Sequence, residues 1–407
     1  MIPRQHIGFY AGSFDPFTKG HLSICCQALK GLDKLVVGIG INPAKKALFS
    51  PEERAVLVKD SLNDLVRAYK YHDLMSADFL DVPGEIIARY EENPGIIEVM
   101  AYGDLTVDAA IRAGATKLVR GERIIGDHEA EMALYSMNMD LLKVRGYDME
   151  TSLIPTTPNM THISSSNAKM LASCGEYIAA QNYVMPTVHK KMMEKYLLEP
   201  FLKVCAYFKI DELRAQNAYE GLVEAHNEGR IYHTLTHVAD CLNRLKIYQS
   251  TCGETPEYEF MRLAFFYHDF YQGPQAEDRS KEKMFELVAH LSEADKEKLA
   301  RLIDGTKHDG SVAKDDFAVQ LMSDIDLNIL GSDRYGEYAA KVRQEYASYD
   351  DETYAKGRAA VLEGLLKTDP LYHTEHFKHL LTHRGIANIS KEIQYWNALK
   401  CRPNRTD

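Results

Sequence analysis

No apolar run in the 407 residues approaches the roughly 20 needed to cross a bilayer. A membrane-spanning helix is therefore not expected. Paired cysteines are also missing: the seven present are scattered, only Cys25 and Cys26 are adjacent, and there is no CxxC. That excludes a disulfide framework and a zinc ribbon, and it points to reduced thiols. Positive charge is in deficit, with 48 Lys and Arg against 59 Asp and Glu for a formal net charge of -11. Such a balance argues against nucleic acid as a partner, while a few local Arg and Lys could still hold a phosphate ligand. Internal repeats and low-complexity stretches are absent, and the short lead before Ile7 leaves no room for a signal peptide. The expectation is a cytoplasmic chain with neither membrane nor nucleic-acid partner, its oligomeric state left open, a homo-oligomer included.

What is present reads as ordinary globular protein, 45% hydrophobic and 26% charged, long enough for two or three domains. The first half alternates short apolar runs with amphipathic segments. Residues 7–10, 35–39 and 117–120 read as buried strands, and residues 22–29 and 51–62 as helices. Ser50, Pro51 and Glu53 stand at the N-cap, N1 and N3 positions of the second helix. This alternation predicts an α/β fold, a Rossmann-like doubly wound parallel sheet covered on both faces. From about Val188 the strand signals stop and helical periodicity runs almost to the end. A second, all-α domain follows, with the boundary placed at Glu199-Pro200: residues 1–198 and 199–407.

Four segments of the first half carry chemistry. GSFDPFTKGH (residues 12–21) is a tight loop between strand and helix, where glycine lets backbone approach a phosphate and the helix start offers N–H groups to an anion. His21 lies in the first turn of that helix, where it can donate to a phosphate oxygen, although a histidine merely capping the turn would look the same. NPAKK (residues 42–46) follows the next strand, on the edge where open α/β sheets bind ligands. RGER (residues 120–123) brings two arginines to the same edge, able to neutralise a triphosphate. ISSS (residues 163–166) reads as another helix start suited to an anion.

Taken together, GSFDPFTKGH, NPAKK, RGERIIGDHEAE and ISSS resemble bacterial phosphopantetheine adenylyltransferase, within the HxGH-type nucleotidylyltransferase superfamily. The resemblance spans about residues 7–197. It implies that Ser13, Lys45 and Arg120 hold the acceptor phosphate, with Met137 and Asn138 near the pantetheine arm. It further implies that His21 contacts the ATP phosphates, with Lys45 and Arg120 also serving transfer. ATP itself would be held by Gly12, Ser13, Phe14, Gly121, Arg123, Glu131 and the Ser164-Ser165-Ser166 turn, and Mg²⁺ would come with it. Three features depart from the family pattern: Ser13 where threonine is usual, Glu122 in place of an apolar residue, and extra length over about residues 69–100.

The second half holds YHTLTH (residues 232–237), with His233 and His237 four apart and expected on one helix face. FYHD (residues 266–269), TKHD (residues 306–309) and DID (residues 324–326) follow. Histidines mixed with carboxylates suit a first-row metal with open water positions. The segment from about residue 211 to 392 resembles the HD superfamily of metal-dependent phosphohydrolases, in a branch with a YHxxxH signature. That resemblance implies a divalent transition metal (Mn, Fe, Zn or Ni) on His237, His268, Asp269 and a final carboxylate, Asp326 or else Asp324. His233 would protonate the leaving oxygen. His308, Glu277 and Arg358 are lesser candidates for a second metal shell or a phosphate contact. The combined reading is a bifunctional enzyme using ATP and a phosphorylated small-molecule acceptor. Its rival is an adenylyltransferase for another acceptor, joined to an HD module that binds a nucleotide without turning it over.

Overall fold

The structure is a computed structural model that describes residues 5–70, 84–122, 128–253, 255, 257–308 and 315–400; for 70, 128–131, 399 and 400 only the backbone is considered. The chain divides into two compact units, Met1–Lys195 and Tyr196–Asp407.

In the first unit five strands, β1 (Ile7–Gly12), β2 (Lys34–Gly40), β3 (Ile97–Tyr102), β4 (Lys117–Glu122) and β5 (Glu150–Pro155), form one sheet in the order β3-β2-β1-β4-β5. Every pairing is parallel, with Tyr10 beside Val37 on one side and Val119 on the other. Successive side chains alternate between two cores. Tyr10, Val37 and Val119 belong to one, while Phe9, Val36 and Leu118 belong to the other. A sheet buried on both faces needs such continuous apolar strands. Each fully buried Val, Leu or Phe contributes about 1.5–3 kcal/mol.

The helices of this unit are α1 (Lys19–Ala28), α2 (Pro51–Lys70), α3 (Gly84–Glu92), α4 (Thr106–Arg112), α5 (His128–Val144), α6 (Ser165–Ser173), α7 (Tyr177–Gln181) and α8 (Pro186–Tyr196). The cap expected before α2 is present: Ser50 Oγ accepts from Glu53 N at 3.1 Å, and Glu53 Oε2 accepts from Ser50 N at 2.7 Å. The strand expected over residues 117–120 extends through Gly121 and Glu122, because the ladder to β5 continues through them.

The second unit is helical throughout its described residues: α9 (Leu198–Tyr207), α10 (Glu212–Ala225), α11 (Leu235–Cys252), α12 (Tyr258–Tyr267), α13 (Ala276–Leu287), α14 (Glu293–Asp304), α15 (Phe317–Asp326), α16 (Tyr335–Glu345), α17 (Asp351–Lys367) and α18 (Glu375–Lys400). Pro200 sits in the first turn of α9 and not in a linker; proline is tolerated there because those first N–H groups lack helical partners anyway. Among the described residues no helix is long and apolar enough to cross a membrane.

Candidate functional site

In a parallel sheet the loops that follow the strands open on one edge, and there two of the four motif segments meet through a direct bond, while the loop that continues from NPAKK is tied to them. Asp15, 5% exposed, accepts from the backbone N–H groups of Leu48 (2.9 Å) and Phe49 (2.9 Å), and from Lys169 Nζ (2.9 Å). Ser165 Oγ donates to the Pro16 carbonyl at 2.7 Å. Arg54, 4% exposed, reaches the Ser13 carbonyl at 2.7 Å and the Ser50 carbonyl at 3.3 Å. The loops after β1 and β2 and the start of α6 are thus tied into one body. Sequence reasoning gave Asp15, Arg54 and Lys169 no role; only the position of Asp15 inside GSFDPF hinted at one.

His21 does cap its helix. Its Nδ1 accepts from Thr18 N at 3.0 Å, while Thr18 Oγ1 accepts from His21 N at 3.3 Å. That bond also fixes the tautomer: Nδ1 is the acceptor, so the neutral ring carries its proton on Nε2 and can donate to an oxyanion. The Phe14 and Phe17 rings pack on His21 with centroids 5.0 and 5.6 Å away. Phe14 itself is buried, with φ of +48°, an uncommon conformation for a non-glycine residue. Only its backbone, not its ring, is placed to meet a ligand.

Gly121 has a packing reason. A Cβ there would stand 2.0 Å from Ile24 Cδ1, so glycine lets α1 lie close against β4. Ser13 and Lys45 are exposed at the edge, and the turn carrying Lys45 is closed by Asn42 Oδ1 accepting from Ala44 N at 2.9 Å. Arg120 emerges from β4 near Tyr102, where its charge lowers the phenol pKa that burial raises. Ser164 Oγ is used as the cap of α6, accepting from Asn167 N at 3.0 Å. With Ser165 Oγ also engaged, the anion-facing groups of this turn are chiefly backbone N–H groups at the start of α6. Met137 is exposed and Asn138 buried on α5. Arg123 and the Glu131 side chain lie outside the described residues.

In the second unit His237, on the first turn of α11, and His268, which follows α12, face each other with Nε2 atoms 3.2 Å apart. Asp326 Oδ1 lies 2.9 Å from His237 Nε2 and 3.5 Å from His268 Nε2; Asp269 Oδ2 lies 3.6 and 3.2 Å from the same atoms. His268 Nδ1 donates to the Phe265 carbonyl at 3.0 Å, which turns Nε2 towards the carboxylates. Two imidazole nitrogens and two carboxylates converging in this way make a donor set suited to a divalent metal. Burial opposes charge on Asp269 and Asp326, but the His268 charge and hydrogen bonds hold both carboxyls well below the usual range.

Asp324 is not part of this cluster. Its oxygens accept from His373 N (2.7 Å), Thr374 N (2.7 Å) and Thr374 Oγ1 (2.6 Å), which corrects the alternative of Asp324 as a ligand. At the end of a helix residues 324 and 326 point in different directions. His308 Nε2 meets Asp326 Oδ2 at 2.8 Å. Arg358 is committed elsewhere, paired with Glu392 at 2.9 Å and with Tyr338 OH at 3.2 Å, both charges buried. Asp309 lies outside the described residues, and Glu277 opens α13.

The expectation that His233 and His237 share a helix face needs correction as well. Thr234 caps α11, its hydroxyl accepting from Thr236 N at 3.2 Å, so His233 stands in the turn before the helix. Glu345 places it there. Its Oε1 accepts from the N–H groups of Ile231, Tyr232 and His233 at 2.8–3.0 Å, and its Oε2 meets His233 Nδ1 at 2.8 Å. Burial disfavours charge on His233, yet the bond to Glu345 and the carboxylates of Asp269 and Asp326 outweigh it and raise the pKa. The ring centroid lies 6.0 Å from that of His237. Arg230, buried, donates to the His233, Asp269 and Phe270 carbonyls. Glu345 stands 112 residues from His233 and left no local signal; Arg230, close before YHTLTH, could have been found.

A Cytidylyltransferase-like family model matches residues 9–170. Phosphopantetheine adenylyltransferase of Allorhizobium ampelinum is 35% identical over 46% of this chain and 97% of its own length. That of Rhizobium rhizogenes is 35% identical over 46% and 94%, and that of Porphyromonas gingivalis 35% over 43% and 93%. Nearly whole relatives therefore align with the unit that carries the parallel sheet, and through that unit the chain belongs to the phosphopantetheine adenylyltransferase family.

Proposed function

We propose that the first unit transfers the adenylyl group of ATP to 4'-phosphopantetheine, giving dephospho-CoA and pyrophosphate. The observation that carries this is the gathering of Ser13, His21, Lys45, Arg120 and the start of α6 on one sheet edge, in a chain of this family. The acceptor phosphate is already a nucleophile, so no general base is required. Its oxygen attacks the α-phosphorus as the bond to pyrophosphate breaks in line. The protein positions two anions and offsets the charge that develops between them. His21 Nε2–H donates to the phosphates, Lys45 and Arg120 hold the acceptor, and Mg²⁺ enters with ATP as part of the substrate. Arg123 and Glu131 complete the ATP site in this reading. Incubation with ATP and 4'-phosphopantetheine, followed by detection of dephospho-CoA and pyrophosphate, is the test. Turnover with a different phosphorylated acceptor alone would reassign the substrate.

The second unit is read as an HD-type phosphohydrolase domain, roughly residues 199–407, with His237, His268, Asp269 and Asp326 as the residues that would hold a divalent metal. The convergence of two imidazole Nε2 atoms and two carboxylates supports it, since a shared cation can be held by all four groups at once. A bound metal there would supply a Lewis acid and an activated water. His233, charged through Glu345, donates its Nε2 proton to the leaving oxygen of a phosphoester. Copurifying metal with turnover of simple phosphoesters supports this reading. A protein that binds nucleotides without turnover would be a regulatory module instead.

A further inference from the structure

Beside the histidines and carboxylates of the second unit lies a thiol that the sequence pattern did not single out. Cys241 stands four residues after His237 on α11, one turn further along the same face. It is fully buried, and its Sγ is 3.8 Å from His237 Nε2. Among the described residues, the set whose donor atoms all lie within 4.8 Å of one another is His237, Cys241, His268 and Asp326. With Zn–N near 2.0–2.1 Å and Zn–S near 2.3 Å, tetrahedral angles require N···N of about 3.3 Å and N···S of about 3.6 Å. The structure has 3.2 Å between the imidazoles and 3.8 Å from His237 to the sulfur. The imidazole pair thus meets the first spacing, the thiol comes close to the second, and its sulfur also lies within 4.8 Å of the His268 and Asp326 donor atoms.

Resting on the metal reading above, we propose that Cys241 is a sulfur ligand of the same ion as His237, His268 and Asp326. With Asp269, the site then offers two nitrogens, two oxygens and one sulfur. Such a set favours zinc over harder ions such as magnesium or manganese, because thiolate is a soft donor. Coordination forms the metal–sulfur bond and releases the thiol proton to solvent. Asp269, 3.2 Å from His268 and 3.6 Å from His237, supplies the second of those oxygens.

The full chain, stripped with a chelator and titrated with Co²⁺, tests the assignment by absorption. The wild type should develop a sulfur-to-cobalt charge-transfer band in the near ultraviolet that saturates together with the cobalt d–d bands. Cys241→Ser should lose that band while keeping d–d absorption, and should shift its preference from zinc towards manganese. If the wild type binds cobalt without the band, or Cys241→Ser retains it, sulfur ligation is wrong and the metal site itself stands. If folded wild type binds no cobalt, the metal reading fails and the ligand assignment with it. Should the serine variant not fold, zinc X-ray absorption on the loaded wild type provides the same decision. A Zn–S shell at about 2.3 Å is expected, and a shell of nitrogen and oxygen alone would overturn the proposal.

Discussion

The edge of the parallel sheet and the histidine–carboxylate cluster in the helical unit are built from different materials. At the sheet edge the loops are fixed largely by side-chain bonds to backbone: Asp15 to Leu48 and Phe49, Arg54 to Ser13 and Ser50, Ser165 to Pro16. Ligand-facing groups there come from exposed loops and from N–H groups at helix starts. In the helical unit the groups that face one another are side chains from the ends of α11, α12 and α15, the histidines buried and the carboxylates half-buried. The first arrangement suits a mobile polyanion that arrives with its own cation. The second suits an ion held without release, because buried charges persist only when paired or coordinated.

The sharpest break between the two is expected from Asp269→Ala. It should strip the helical unit of metal and abolish hydrolysis while leaving adenylyl transfer as it was, seen by elemental analysis beside both assays. Unchanged metal content would remove Asp269 from the site. His21→Ala does the reverse, lowering transfer by roughly two to three decades, the scale of losing one transition-state donor. Metal content and hydrolysis should not move; a near-normal transfer rate would take His21 out of the mechanism.

Asp15→Ala probes whether the sheet-edge site depends on its fastening. It leaves two backbone N–H groups and Lys169 without their acceptor, and should destabilise the first unit by about 2–3 kcal/mol in denaturant titration. Equal stability would mean that the loops hold by packing alone.

Glu345→Gln addresses the proton donor of the cluster. A general acid acts only while protonated, so activity falls as pH rises through its pKa. Removing the carboxylate that raises the His233 pKa should move the alkaline limb of hydrolysis to lower pH, by on the order of one unit. An unmoved limb would separate His233 from the proton transfer. The smallest effect concerns Asp324, whose carboxyl burial pushes up to about 6 despite its three donors. The folded state there binds the proton more tightly than the unfolded chain, so this contribution to stability is lost as pH rises from about 4 towards 6. Asp324→Asn should flatten that part of the stability curve by on the order of 1–2 kcal/mol, measured by unfolding at several pH values.

Much of the first unit was legible because its signals are local. Apolar runs of strand length, the Ser50 cap and loops ending in glycine or basic residues each depend on neighbours a few positions away. The change to helices after Val188 was legible for the same reason. Local reading also failed in a regular way. It put His233 on a helix because four-residue spacing implies one face, whereas the Thr234 cap starts the helix one residue later. It kept Asp324 and Asp326 as alternatives, since a helix end cannot be seen in a string of letters.

By itself the sequence determined the strand–helix alternation and the four motif segments, because side-chain chemistry and short-range periodicity are written in it directly. The tertiary structure decided which of them meet. Asp15 reaches Lys169 across 154 positions, Glu345 reaches His233 across 112, and Asp326 reaches His237 across 89. Such pairs are selected by the packing of whole helices and strands, a sum of many weak contacts that no short window contains. Cys241 joined the cluster on the same terms: four residues from His237 in the chain, it took on meaning only when His268 and Asp326 were brought to the same place.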